Sequence, residues 1–312
     1  MKLGRRKNKF LLTGRRRNFR LSFIIVLFLL LAGVFIFFVW KNIKSPLYMK
    51  SSISELYTHW DKEEFDKIYD SSGIIIQTRP LDAEVLALRG FAAYYLFLEQ
   101  TDSQLSQVYL TDAIHSLRNA WYRVSESERP QIAYILGKAY YQRGYYYADL
   151  AIYYLQYAKL AGLKDQDLSE FLALSYSLLG DYTSSIESFT EALKTNPSDL
   201  LLYSLSQSYL KQKDYEKSEQ YLLETIRISE DELLQLKCHN FLGLLYLERE
   251  NISEAQLEFE TILQKDANSA DAHYGLGVVY EAQGDLIKAR SEWRKAVKAD
   301  PVHLGARLKL NL

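Results

Sequence analysis

Apolar and polar residues are arranged in two contrasting ways along this chain. Leu21 to Trp40 (LSFIIVLFLLLAGVFIFFVW) runs for 20 residues without a charge, and Ser22 is its one ordinary polar side chain. A helix of that length rises about 30 Å, the hydrocarbon thickness of a bilayer, so the run predicts a transmembrane helix over residues 21–40. A cleaved signal has a shorter apolar region that ends in small residues. Here Phe37, Phe38, Val39 and Trp40 stand at that end, and Val34 follows Leu31-Ala32-Gly33 where a lipoprotein cleavage box needs cysteine. The run therefore reads as a retained anchor. Residues 41–52 (KNIKSPLYMKSS) form a short polar linker in which Pro46 stops simple continuation of the helix. Beyond it the pattern changes, and particular small, aromatic and polar positions return at a fixed interval.

That interval is clearest from the C-terminal end backwards. Residues 270–303 carry Leu276-Gly277, Tyr280, Gly284-Asp285, Ala289, Trp293, Ala296 and Pro301. One interval earlier stand Leu242-Gly243, Tyr246, Asn251, Ala255 and Phe259. The order L-G-x₂-Y, A-x₃-aromatic, Pro, repeating about every 34 residues, resembles the tetratricopeptide repeat (TPR) family. Weaker copies keep the register: Tyr176, Gly180-Asp181, Phe189, Ala192, Pro197; then Leu205, Tyr209, Asp214, Ser218, Leu222. Leu136-Gly137, Tyr140 and Gly144 open another, closed by Ala151, Leu155 and Ala158 after a short insertion. Arg89-Gly90 opens one whose second helix carries Ala113, Leu117 and Ala120, with extra residues expected between its helices around Glu99–Gln107. Ile53 to Pro80 fits a degenerate first unit. The resemblance implies an all-α chain: a right-handed solenoid of about seven helix-turn-helix repeats over 53–301, with 302–312 as a short cap.

The motif residues have mechanical reasons. Small residues at Gly90, Gly137, Gly243 and Gly277 let paired helices approach, and Ala113, Ala151, Ala255 and Ala289 do the same from the opposite helix. Phe189, Phe259 and Trp293 are expected to fill the space between successive hairpins. Asp181, Asp214, Asn251 and Asp285 precede second helices, where short polar side chains cap free amides; Asn251 with Glu254 has capping-box spacing. Pro80, Pro130, Pro197 and Pro301 are read as lying between repeats, where they break no helix. No such unit buries its own apolar face, so stability comes from stacking neighbours. At the C-terminal edge, Val302, Leu304, Leu308 and Leu312 read as either a solvated cap or a surface for self-association or a partner.

Charge adds topology. The net charge of −1 hides an asymmetry: 11 of the 38 Lys and Arg fall in residues 1–44, which hold no acidic residue. The rest of the chain has 27 basic against 39 acidic residues, an unfavourable balance for nucleic acid. Nine of the 11 precede the apolar run, including Arg5, Arg6, Arg15, Arg16 and Arg17. The positive-inside bias leaves residues 1–20 as a cytoplasmic tail and sets the repeats on the extracytoplasmic side of a plasma (inner) membrane, periplasmic in a Gram-negative cell.

Candidate chemistry is thin. One cysteine, Cys238, allows no intrachain disulfide or cysteine-rich zinc site. No phosphate-binding glycine loop, HExxH or GxSxG turn occurs. Asp165-Gln166-Asp167 starts like a calcium loop but lacks its later glycine and glutamate, so it reads as an inter-repeat turn. Asn251-Ile252-Ser253 is a sequon in an inter-helix turn, and His239 and His273 are one repeat apart but lack a carboxylate cluster in the sequence around them. No catalytic residue, metal site or cofactor is expected.

The resemblance instead implies a protein- or peptide-binding concave groove, lined by first-helix positions 2, 5, 9 and 12 of each repeat. Carried onto this chain, those positions give Phe91 and Tyr94; Tyr134, Lys138 and Tyr141; Tyr203 and Gln207; Asn240; and Tyr274. Aromatic residues suit anchoring because they offer area at little rotamer cost. Lys138 and Asn240 do not reproduce the lysine–asparagine clamp of chaperone-tail-binding TPRs. Three functions follow: a membrane-anchored scaffold or adaptor, a fixed structural subunit of an envelope machine for secretion, motility or outer-membrane assembly, and a glycan binder.

Overall fold

The computed structural model describes residues 53–312. The tail, the apolar run 21–40 and the linker lie outside the described residues, among which no helix is long and apolar enough to cross a membrane. The described chain is helical, with no strand. Helical residues 53–60 (α1) pair with α2 (Phe65–Thr78). Then follow α3 (Ala83–Glu99) with α4 (Ser103–Trp121), and α5 (Arg129–Gln142) with α6 (Ala148–Leu160). Next come α7 (Leu168–Leu179) with α8 (Tyr182–Thr195), and α9 (Asp199–Lys211) with α10 (Tyr215–Ile228). The last pairs are α11 (Glu232–Glu248) with α12 (Ile252–Lys265) and α13 (Ala270–Ala282) with α14 (Leu286–Ala299), after which α15 (Leu304–Leu310) ends the array. Each helix packs on the next, and first helices also touch the first helices of adjacent units (α3 on α5, α5 on α7, α9 on α11, α11 on α13). The result is a stack of seven hairpins closed by a single short helix.

The packing has the causes the motif demands. A Cβ built on Gly243 would lie 2.6 Å from the Phe259 ring, and one on Gly275 of the following unit 2.4 Å from the same ring. Phe259 is thus wedged between successive hairpins, fully buried, with a glycine on each side. Within the last hairpin Trp293 packs on Gly277, where a Cβ would lie 2.2 Å from its indole Nε1. In the middle of the stack the small positions are serines. Ser185 and Ser208 are 3.1 Å apart, and Ser218 Oγ donates to the Ser206 carbonyl at 3.0 Å, so these buried hydroxyls are satisfied.

Asp181, Asp214 and Asp285 cap α8, α10 and α14 by accepting from the amides of Ser184, Lys217 and Lys288. Asn251 stands at the same place before α12 but makes no side-chain cap bond, so the expected capping box is not formed. Pro130 lies inside the first turn of α5 and not between repeats; no intrahelical amide bond is lost there. The extra residues near Glu99–Gln107 do not loop out. They lengthen α3 to 17 and α4 to 19 residues, joined by a short turn in which Asp102 caps α4. The insertion in the third unit forms a 3₁₀ turn, Tyr145–Tyr147, entered through Gly144 at φ 81°. At the far end α15 buries Ala306 against α14, while Val302, Leu304, Leu308 and Leu312 remain exposed.

Candidate binding groove

The side-by-side first helices α9, α11 and α13 leave a groove of about 1020 Å³. Its floor is apolar and half-buried: Leu210, Phe241, Leu244, Leu247, Tyr274 and Val278. Lys211 and Lys213 stand on its edge at the end of α9, and Glu248 and Glu250 at the end of α11. All four are exposed, and among the described residues none is in an ion pair. The groove is thus an apolar trough whose edge changes from positive to negative over one repeat. Lys213 and Glu250 are held there with φ of 63° and 59°, the left-handed region. The equivalent residue, just before the cap of the second helix, is Gly180 or Gly284 in other units.

Of the nine residues predicted from the sequence, Tyr274 lines this groove. Tyr203 sits beside it, edge-on to Phe241 at 5.6 Å, and Gln207 and Asn240 are half-buried on the same two helices. The other five lie elsewhere. Tyr94 is 1% exposed and Tyr134 4% exposed, so both belong to the core and offer no ring face to a ligand. Phe91 packs on Trp60 at 6.0 Å and Tyr141 edge-on to Phe171 at 5.4 Å.

Tyr134 and Lys138 instead bolt the third unit to the fourth. The Tyr134 hydroxyl lies between the carboxylates of Asp165, at 2.8 Å, and Asp167. Lys138 Nζ is 2.7 Å from Asp167 and sits over the Phe171 ring at 4.6 Å. Burial, then these two carboxylates, hold the Tyr134 hydroxyl far above the ordinary tyrosine range. Burial and the neighbouring Asp167 also push the Glu170 carboxyl up. The Asp-Gln-Asp turn is therefore the acceptor of a packing bridge. Sequence spacing alone does not reveal this, because the partners are about thirty positions apart.

Aliphatic residues line the groove as well. Leu210, Leu244, Leu247 and Val278 occupy the same groove positions of their repeats as the chosen aromatics. Their repeat positions are legible in the sequence, although they are not among the nine residues predicted from it. The two histidines each turn to a glutamate of their own hairpin, His239 to Glu258 at 2.6 Å and His273 to Glu292 at 2.7 Å. Among the described residues no cluster of three potential metal ligands occurs. Cys238 is fully buried, and burial pushes its thiol up to about 12.

An apolar trough built from stacked helical hairpins is the architecture of repeat scaffolds, whose stacked units create extended concave surfaces. Comparison with known proteins agrees on the repeat. The family model described as tetratricopeptide repeat matches residues 172–232 and 242–307, the stretch that builds the groove. The matched residues carry tetratricopeptide repeats, and the described residues as a whole form a solenoid of helical hairpins. The type IV pilus assembly protein PilF of Pseudomonas aeruginosa is 41% identical over 59 residues, 19% of this chain and 23% of that protein, so the chain spans under a quarter of that relative. Among solved structures, the C-terminal part of a TPR repeat-containing protein from Cytophaga hutchinsonii matches 83% of this chain and 100% of its own, with a TM-score of 0.59 at 13% identity. A chain of the APC/C hetero-tetramer Cut9–Hcn1 matches 82% of this chain and 47% of its own, with a TM-score of 0.51 at 16% identity. At such identities the likeness is one of fold.

Proposed function

We propose that this chain is a membrane-anchored adaptor that docks an extended protein segment in the groove across α9, α11 and α13, on the extracytoplasmic side of the membrane. The observation that carries the docking reading is the trough itself, an apolar floor with four unpaired charges on its edge. Its partner segment presents apolar side chains to Phe241, Leu244 and Leu247, an acidic residue toward Lys211 and Lys213, and a basic one toward Glu248 and Glu250. Apolar area supplies the affinity and the charges set direction and reject reversed segments. Anchoring and side rest on the apolar run 21–40 and the basic residues before it.

A second reading, a fixed subunit of an envelope machine, is favoured by the short match to a relative named as a pilus assembly protein. Crosslinked pull-down of the full-length chain from its native membrane separates the two, since an adaptor exchanges partners and a subunit keeps them in constant ratio. The swap Lys213→Glu with Glu250→Lys conserves net charge and touches only exposed side chains. It should cut partner recovery at least about tenfold, because like charges then face each other. Unchanged recovery would move the docking site off this groove. Protease added outside spheroplasts should digest the repeats; protection would overturn the assigned side.

A further inference from the structure

A second concavity, of about 440 Å³, lies away from the trough, between α4, the end of α5 and the start of α6. One face of α4 supplies much of it. Thr111, His115, Arg118 and Tyr122 recur at helical spacing and cover about 16 Å of helix. Arg143 closes the site from α5 and donates to the Thr111 hydroxyl. No acidic residue lines it, and among the described residues neither Arg118 nor Arg143 is in an ion pair. In a body with 39 acidic residues, two guanidiniums left without a carboxylate in one concavity are a directed positive site. A guanidinium is built to grip a carboxylate or phosphate through two parallel donors.

The rest of the lining presents flat rings. Tyr122 is 70% and Tyr147 43% exposed, and Tyr146 beside them is 88% exposed. Tyr147 is backed by Tyr140 in a stacked pair at 6.0 Å, and Tyr140 by Tyr154 at 5.7 Å. That column backs the Tyr147 ring while part of it stays at the surface. A run of three tyrosines pushed to the surface by an inserted turn exposes ring area that a solvated turn would not need.

We propose that this concavity binds an acidic sugar chain. The C–H face of a pyranose lies on the electron-rich face of Tyr147 or Tyr122, while its carboxylate is held by Arg118 and Arg143 and its hydroxyls by His115 and Asn119. An acidic peptide satisfies the arginines but gains less here. Its anchors need a desolvated apolar pocket, and the site offers only Ile114 and Leu150 as aliphatic lining. The site is separate from the docking trough, so the two functions stand or fall independently.

The test is titration calorimetry on the full-length protein in detergent. The probes are trigalacturonate, its methyl ester and a poly-glutamate peptide of matched charge. Trigalacturonate should bind, with its ester and the peptide each weaker by about tenfold or more, the worth of a charge-assisted hydrogen-bond pair. Arg118→Gln and Tyr147→Ala should each weaken trigalacturonate severalfold with helicity intact, and the Lys213→Glu with Glu250→Lys swap should leave it unchanged. Equal binding of acid and ester, or no binding of either, would overturn the proposal. So would peptide binding as tight as the sugar and indifferent to Tyr147→Ala, which would make the site a peptide contact.

Discussion

The left-handed residues beside the trough make the sharpest quantitative test. Lys213 and Glu250 occupy the turn position that Gly180 and Gly284 occupy elsewhere, and Glu63 occupies it in the first unit, at φ 56°. A left-handed backbone costs an L-residue about 1–2 kcal/mol, and glycine gives back about 0.4–1 kcal/mol through its freer unfolded chain. Lys213 and Glu250 are exposed and unpaired, so no contact is lost on replacement. Lys213→Gly and Glu250→Gly should therefore each stabilise the protein by roughly 0.5–1 kcal/mol. Glu63→Gly should gain a similar amount and serves as a control, since it is remote from the trough. Urea unfolding followed by helicity reads the change as a shifted midpoint at constant slope. Partner recovery should fall by up to about fivefold for the Lys213 and Glu250 variants and stay unchanged for Glu63→Gly, because exposed charges contribute about 0.2–1 kcal/mol each. Strain would then be the cost of placing charge at a binding edge. Loss of stability in the glycine variants would refute the strain argument, and stabilisation with full partner recovery would refute the role of the charges.

Three further outcomes follow from the packing. Gly277→Ala sets a Cβ 2.2 Å from the buried Trp293 indole, so thermal unfolding should show a loss of about 1–3 kcal/mol. Asp181→Ala should cost about 1 kcal/mol by removing a cap, whereas Asn251→Ala should cost only a few tenths, because Asn251 makes no cap bond; equal losses would contradict the cap geometry. Burial pushes Tyr57, Tyr69 and Tyr154 up to about 12, helped at the first two by Glu84 and Asp112, and Cys238 to a similar value. The unfolded chain ionises these groups near pH 9–10 while the folded one keeps its protons, so stability is complete below about pH 9 and is lost progressively toward pH 12. Cys238 should resist a maleimide at pH 8 until urea unfolds the chain; prompt labelling would contradict its burial.

What the sequence determined by itself is the repeat. Gly243, Gly277, Phe259 and Trp293 are legible because each copy solves the same local problem, two helices touching at one small residue, and so the solution recurs at one interval. The caps at Asp181, Asp214 and Asp285 are legible for the same reason, being settled within one turn of chain. Only the tertiary structure decided which tyrosines at groove positions stay accessible. Tyr134 and Tyr94 sit at groove positions by count, yet stacking of the next hairpin, with Asp165 and Asp167 reaching back to Tyr134, takes them into the core. The extra residues of the second unit likewise became longer helices, because α3 and α4 pair with each other along that added length. The open trough exists only where α9, α11 and α13 lie side by side, bringing together Leu210, Leu244 and Val278 from three repeats. Repeat identity is a short-range property that spacing records; exposure in a solenoid depends on the neighbouring hairpin, and no interval within one repeat encodes that.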